Sequence, residues 1–407
     1  MLYFKNSDIA YTYHVSVRTV HNWIESAKEG KLDLDLYRQG DRSYVSNTAR
    51  NIETIKQLVA NGKKFRPRHA VESLEPKPEF YGIFNQAQVY DIVTNLVMHH
   101  EIPRQYNYFS NGADHWDEYA QRLIEEDAPN LENSTIELLG MSQGYLDGLL
   151  RRFKKVNIID VGVGNAWPVK ELLGNLLEQG KLGRYIAVDI SPEMLRIARD
   201  NIKEWFGGRV DFEDYEIDIN REGFGNLLAE DYIKKDSAET ANLVLLLGGT
   251  LGNMRSPDSA LRVIHESMSF NDFMVYTMKL DSEGTRRYFD FKVDPGDEVL
   301  PPIHGAVIDL LNIDPSLYQV EMGYDQLKHQ RYERIRLKKS INIRFDFDDG
   351  EWPVALDKGE SILVWRGLQL SAQDVTDQLN RNDFYVLHAS QTPNREYLLA
   401  VAEVNRD

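Results

Sequence analysis

The chain of 407 residues contains no cysteine. That absence excludes disulfides, thiolate metal sites and cysteine nucleophiles, and it suits a reducing compartment. Long apolar runs are missing too. None approaches the roughly 20 residues that a membrane span needs. The start of the chain, MLYFKNSDIAYTY, lacks the basic end and apolar centre of a signal peptide. A soluble, cytoplasmic protein with no membrane partner is the expectation. No His, Asp or Glu spacing suggests a metal site, so none is expected.

Positive charge is also in short supply, with 47 Lys and Arg against 64 Asp and Glu, a net −17. The deficit is uneven. Residues 1–71 hold 12 Lys and Arg against 7 Asp and Glu, a net +5, which leaves −22 for the rest. So acidic a body repels phosphate backbones, so any contact with nucleic acid falls to the first segment. What the chain does have is length for two or three domains and 42% apolar residues, enough for large cores.

SDIAYTYHVSVRTVHNWIESAKEGKL reads as two short helices and a tight turn at His14 and Val15, with Ser16 placed to cap the second. Val17, Val20 and Ile24 fall on one face of that helix with Trp23 beside them. Arg18, Thr19, His21 and Asn22 lie nearer the other face, where a recognition helix presents groups to base edges. LYRQGDRSYVS suggests a hairpin turning at Gln39, Gly40 and Asp41, and NTARNIETIKQLVANGKKF another amphipathic helix. This order, with its Val-Ser-x-x-Thr-Val and Trp-Ile elements, resembles the excisionase-type winged helix-turn-helix. The resemblance implies DNA binding through Arg18, Thr19 and Asn22, or protein docking, by a module over 1–71. Modules of this kind act as dimers, so a homodimer is expected. With Pro67, Pro76 and Pro78, residues 72–104 read as a linker.

After residue 156 the rhythm changes. VNIID is a near-continuous apolar strand of the kind buried in a parallel sheet, followed by Gly162-x-Gly164 and the helical AWPVKELLGNLLEQG. RYIAVDIS gives a second strand ending in Asp189, VDFEDYEIDIN a third with Asp218 at its end, and ANLVLLLGGTLGN a fourth. Strand and helix alternation of this sort predicts a doubly wound α/β sheet with its ligand at the carboxyl ends of the strands. Two ligands suit a Gly-x-Gly with a later acidic residue. A dinucleotide fold wants a third glycine for close packing, and that position is Trp167. S-adenosylmethionine has no phosphate to cradle; it needs glycines for close approach and a carboxylate for its ribose hydroxyls. Asp160, Gly162, Gly164, Asp189 and Asp218 supply that set in order. Asn165, Ile190, Ile219, Gly249 and Thr250 complete the expected cofactor contacts.

LLLGGTLGNMRSPDSALRVI, together with YIAVDIS, EIDIN and the upstream YFSNGADHWDEY, resembles the methyltransferase family that includes the histidine Nα-methyltransferase of ergothioneine biosynthesis. The likeness spans roughly 105–405, including YERIRLKKS, DDGE, FYVLHASQ and EYLLAVAEV. It implies a class I (Rossmann-like) S-adenosylmethionine-dependent fold over 151–283 with 368–407. A second α+β domain, covering the substrate, would come from 105–150 with 284–367. NIRFDFDDGEWPVAL supports this by alternating like an exposed-face strand. The resemblance puts Asn253 and Tyr108 on an amino-acid acceptor, as its substrate-binding and catalytic residues. The family's Glu-x-Ser, which contacts imidazole and amine, falls here on Trp365 and Gly367. A carboxylate has become an indole, so a small amino-acid-like acceptor other than histidine is expected.

Methyl transfer from a sulfonium is an in-line displacement that depends on positioning and on a deprotonated nucleophile. No general base stands out; His115 and His304 read as structural histidines, the latter without a visible partner. Two other readings remain open. One is a helix-turn-helix regulator whose methyltransferase-like domain binds cofactor or ligand as a sensor without turnover. The other is a nucleic-acid methyltransferase, disfavoured because GGTLGN is not the Pro-Pro-aromatic motif such enzymes carry and because the body is acidic.

Overall fold

The computed structural model of the chain describes residues 3–13, 15–39, 42–61, 71–126, 128–233, 239–282, 300–348 and 350–405. The chain divides into two compact units, Met1–Ala70 and Val71–Asp407.

The first unit runs β1 (Tyr3–Phe4), α1 (Asn6–Thr12), α2 (Val17–Lys28), β2 (Leu36–Gln39), β3 (Arg42–Ser46) and α3 (Ala49–Asn61). Ser16 caps α2, its side chain accepting from the Thr19 N–H at 3.0 Å, because a hydroxyl there satisfies a donor the first turn leaves over. Ile9, Val20, Ile24, Val45 and Ile55 make a small core. β3 is the middle strand, antiparallel to β1 and β2. Gly40 and Asp41 of the expected turn, and His14, lie outside the described residues. Val17 departs from expectation. It is exposed, because it opens the helix, and the core is met only a turn later, at Val20 and Ile24. Arg18, His21 and Asn22 are exposed, while Thr19 is half-buried with its hydroxyl 2.8 Å from that of Ser16.

Residues 72–104 are not a linker but fold as β4 (Glu72–Leu74), α4 (Pro78–Ile83) and α5 (Gln86–His99). Pro78 sits in the first turn of α4, where a proline costs no hydrogen bond, so it marks a helix start. Phe80, Phe84, Val89, Ile92 and Leu96 recur at near-helical spacing and are all buried. The chain continues through α6 (Asn111–Glu125), α7 (Leu131–Leu149), β5 (Lys155–Val161), α8 (Lys170–Glu178), β6 (Leu182–Asp189), α9 (Pro192–Phe206) and β7 (Asp211–Glu216). Next come α10 (Gly225–Ile233), β8 (Thr240–Leu246), α11 (Pro257–Ser267), β9 (Phe273–Lys279), α12 (Pro302–Leu310), β10 (Tyr318–Asp325), β11 (Gln330–Leu337) and β12 (Ile341–Phe347). β13 (Gly350–Leu356), β14 (Ser361–Leu368), α13 (Ala372–Arg381), β15 (Phe384–Gln391) and β16 (Tyr397–Val404) close it.

Seven strands form one sheet in the order β7-β6-β5-β8-β9-β16-β15. β5 to β9 pair parallel, and β16 runs antiparallel to both its neighbours. α7, α8 and α9 pack on one face and α10, α11 and α13 on the other. Burial on both faces is why VNIID is a near-continuous apolar run. A second core gathers α4, α5 and α12 with two three-stranded sheets, β10-β11-β14 and β13-β12-β4. NIRFDFDDGEWPVAL contributes the β12–β13 hairpin, two strands where one was expected, with Ile341, Ile343 and Phe345 inward. Ile190, just past β6, packs against this second core, so the two cores meet above the carboxyl end of the sheet.

Candidate active site

A cavity of about 1010 Å³ lies where the tips of β5, β6, β8 and β9 face the second core. Every expected cofactor and acceptor residue lines it: Asp160, Gly162, Gly164, Asn165, Asp189, Ile190, Asp218, Ile219, Gly249, Thr250, Asn253, Tyr108, Trp365 and Gly367. Parallel strands bring the ends of β5, β6 and β8 to one edge, and Tyr108 ahead of α6 and Trp365 and Gly367 of β14 reach the same cavity from outside that sheet.

The turn after β5 explains its glycines. Gly162 and Gly164 have φ of 71° and 54°, a region that side chains rarely adopt. A Cβ on Gly162 would stand 2.8 Å from the Thr250 side chain, and one on Gly164 would stand 2.7 Å from the Trp116 ring. The bare backbone therefore admits two of the cavity's own side chains. Asn165 donates to Asp117 at 2.9 Å and accepts from the Trp167 N–H at 3.1 Å, which fixes the rest of the turn.

Three carboxylates differ in setting. Asp160 is buried and accepts from the Tyr185 hydroxyl at 2.7 Å. Burial pushes its carboxyl up to about 7 against that hydrogen bond, with the charge of Asp189 adding to the rise. Asp189 ends β6; burial pushes it up to about 6, opposed by the backbone N–H groups of Ser191, Gly164 and Ile190. Asp218 accepts from the Asn220 N–H at 3.0 Å and lies 3.4 Å from Arg221, which reaches on to Asp91 of α5 at 2.5 Å.

The opposite wall carries Tyr108. Its hydroxyl accepts from Arg104 at 3.0 Å, and its carbonyl accepts from the Ser191 hydroxyl at 2.6 Å. Arg104 also donates to the Ile303 carbonyl at 3.1 Å, which ties α12 to the same wall. Trp116 meets Tyr108 edge-on, with centroids 6.4 Å apart. Asn253 closes the turn after β8, its N–H donating to the Gly249 carbonyl at 3.0 Å. Trp365 lies flat against His304, with centroids 5.4 Å apart and planes 12° apart, while Gly367 leaves room for its ring: a Cβ there would stand 2.8 Å from it.

His304 is thus not without a partner. Its Nδ1 bonds to Glu333, which sits opposite Trp365 across the β11–β14 ladder. Residues 304, 333 and 365 meet only through that pairing and the placement of α12, and no local signal announced them. His115 is on the exposed side of α6, 4.0 Å from Glu118. Two further charged residues stand on the cavity wall outside any sequence motif, Glu132 in the first turn of α7 and Lys279 at the end of β9. A lysine closing an otherwise apolar strand was the available hint. Among the described residues no group of three or more His, Asp and Glu could hold a metal, and no helix is long and apolar enough to cross a membrane.

Comparison with known proteins gives the class. A family described as "Histidine-specific methyltransferase, SAM-dependent" matches residues 89–286. No curated protein matches the chain. Solved structures with a similar arrangement include the 1,6-didemethyltoxoflavin-N1-methyltransferase of Burkholderia thailandensis, with 12% identity, 75% of this chain and 91% of that one covered, and a TM-score of 0.35. Magnesium protoporphyrin IX methyltransferase from Synechocystis PCC 6803 shows 11% identity, 74% and 97% coverage and a TM-score of 0.38. The CcbJ methyltransferase from Streptomyces caelestis shows 10%, 64%, 90% and 0.33. The protein is an S-adenosylmethionine-dependent methyltransferase. Within that class, the match over 89–286 supports the histidine-specific family, and it covers just under half of the chain.

Proposed function

We propose that the protein methylates a small amino-acid-like acceptor other than histidine, and that its N-terminal unit is a winged helix-turn-helix that binds DNA or a protein. The observation that carries the acceptor reading is the Trp365–His304 stack on the cavity wall. An indole stands where the histidine enzymes place a carboxylate, so that wall offers a flat apolar surface to the acceptor.

When bound, S-adenosylmethionine supplies an electrophilic methyl group on a sulfonium. The chain fits such a ligand. Asp189, at the end of β6 and steadied by three backbone donors, would take the ribose hydroxyls. Asp218 with Ile219 would border the adenine, Ile190 would pack on it, and the turn of Gly162, Gly164 and Asn165 with Asp160 would follow the amino-acid end. Gly249 and Thr250 would run along the same end. Tyr108 and Asn253 would position the acceptor's nucleophile, with Arg104 holding the Tyr108 hydroxyl in place. A cavity walled by both cores would favour in-line geometry once cofactor and acceptor fill it.

In the first unit, Arg18 and Asn22, exposed on α2, would face DNA beside the half-buried Thr19. A second reading, a ligand sensor without turnover, is favoured by that appended unit and by the lost polar pair at Trp365 and Gly367. Incubation with methyl-labelled cofactor, a panel of amino acids and cell extract separates the two. Label transfer supports the enzyme reading; cofactor binding with no transfer to any component supports the sensor. Sedimentation showing only monomer would count against both a homodimer and tight DNA binding.

A further inference from the structure

Two charged side chains on the cavity wall make no ion pair among the described residues. Glu132 is 7% exposed, yet among the described residues its carboxylate makes no ion pair and no hydrogen bond. Burial alone pushes it up to about 7. Lys279 is half-buried, and its ammonium likewise makes no ion pair and no hydrogen bond; it lies over the Tyr397 ring, 5.3 Å from the centroid. Burial and the neighbouring Arg331 bring it down to about 8, with Glu396 opposing. Tyr397 is its cross-strand neighbour and lies close enough to Glu132 to feel that charge too. Both poles line the one cavity, yet neither neutralises the other.

A buried charge without a partner is costly, and proteins retain one chiefly where a ligand completes it. Nothing in the cofactor's expected contacts uses either residue. We propose that Glu132 and Lys279 are the two poles of the acceptor subsite: Glu132 receives the acceptor's ammonium group and Lys279 its carboxylate. Tyr397 forms the floor between them, and Arg331 adds to the positive field at the carboxylate end. The acceptor is then zwitterionic, with both its amine and its carboxylate free. This rests on the amino-acid-like reading given above and adds to it the requirement for two free charges.

The test is calorimetry on the full chain saturated with S-adenosylhomocysteine, titrated with the twenty L-amino acids. Each binder is then compared with its decarboxylated amine and its deaminated acid. The proposal expects at least one amino acid to bind, and each one-pole analogue to bind at least about tenfold more weakly, the usual cost of losing a hydrogen bond to a charged group. Lys279→Met should erase the preference over the amine while Lys279→Arg keeps it, and Glu132→Gln should erase the preference over the deaminated acid. Circular dichroism checks that each variant is folded, and a failed fold at one pole leaves the other pole's variant to decide. An amino acid that binds with its preferences unaltered in all these variants overturns this proposal alone. Homocysteine-adduct binding with no amino acid bound overturns the amino-acid reading together with it.

Discussion

Substituting Asp189 is the sharpest probe of where the cofactor lies. The wild-type carboxylate is the group at the tip of β6 that could accept from two ribose hydroxyls, and hydrogen bonds to a charged acceptor contribute about 1.5–3 kcal/mol each. Losing both in Asp189→Ala removes about 3–6 kcal/mol, or roughly 10²- to 10⁴-fold in affinity for S-adenosylhomocysteine. Alanine also leaves the N–H groups of Ser191, Gly164 and Ile190 without their acceptor. Asp189→Asn is the cleaner partner, because its amide oxygen can still accept from that backbone while the charge is gone. Calorimetry should therefore show no measurable binding for the alanine variant and a large loss for asparagine. A pH series sharpens the point. With the free carboxyl pushed up to about 6, wild-type affinity should hold above pH 7 and fall about tenfold per unit below 6, since each binding event must then release a proton. Asp189→Asn should lack that slope. Affinity within threefold of wild type in both variants would refute the placement of the ribose.

The remaining predictions concern stability. Phe80→Ala should lower the melting temperature of the second unit by many degrees, because emptying a fully buried aromatic site costs about 3–5 kcal/mol; a melting curve unmoved by it would mean 72–104 is a tether after all. The ligand-free protein should also be more stable at pH 6 than at pH 8. Asp160 and Glu132 are both raised to about 7 and Asp189 to about 6, so the folded state holds protons that the unfolded chain, with carboxyls near 4, has lost. Stability thus falls as pH rises from about 4, where the unfolded carboxyls titrate, to about 7, where the folded ones do, by up to about 1.4 kcal/mol per unit for each group, and the last part of that fall lies between pH 6 and 8. A melting temperature that climbs over the same range would show these carboxylates are not buried as described.

How much of this was readable beforehand depended on the range of the interaction. A parallel sheet buried on both faces imposes an apolar run on each strand and a break at its end, so β5, β6 and β8 and the acidic or glycine residues that follow them could be found by eye. Position along a strand then sufficed to bring Asp160, Asp189, Asp218 and Asn253 to one edge, because parallel strands share a carboxyl side. Capping is local as well, and Ser16 ahead of α2 was legible for that reason. Prolines misled at 72–104, where Pro78 reads equally as a linker residue or as the first turn of a helix, and only the packing of Phe80 against Phe345 of β12 and of Phe84 against Tyr106 and Phe109 distinguishes them.

Sequence by itself determined the strand and helix rhythm from β5 to β8, the sheet class and the turn that follows β5, since each follows from short-range periodicity and backbone geometry. Tertiary structure alone decided what stands across the cavity from that turn. His304 meets Glu333 and Trp365 through the long-range β11–β14 ladder and a helix that pack from outside the sheet. Glu132 and Lys279 stand in the first turn of α7 and at the end of β9. Among the described residues neither makes an ion pair, a property of the space around them, and that space exists only once the two cores have closed over it.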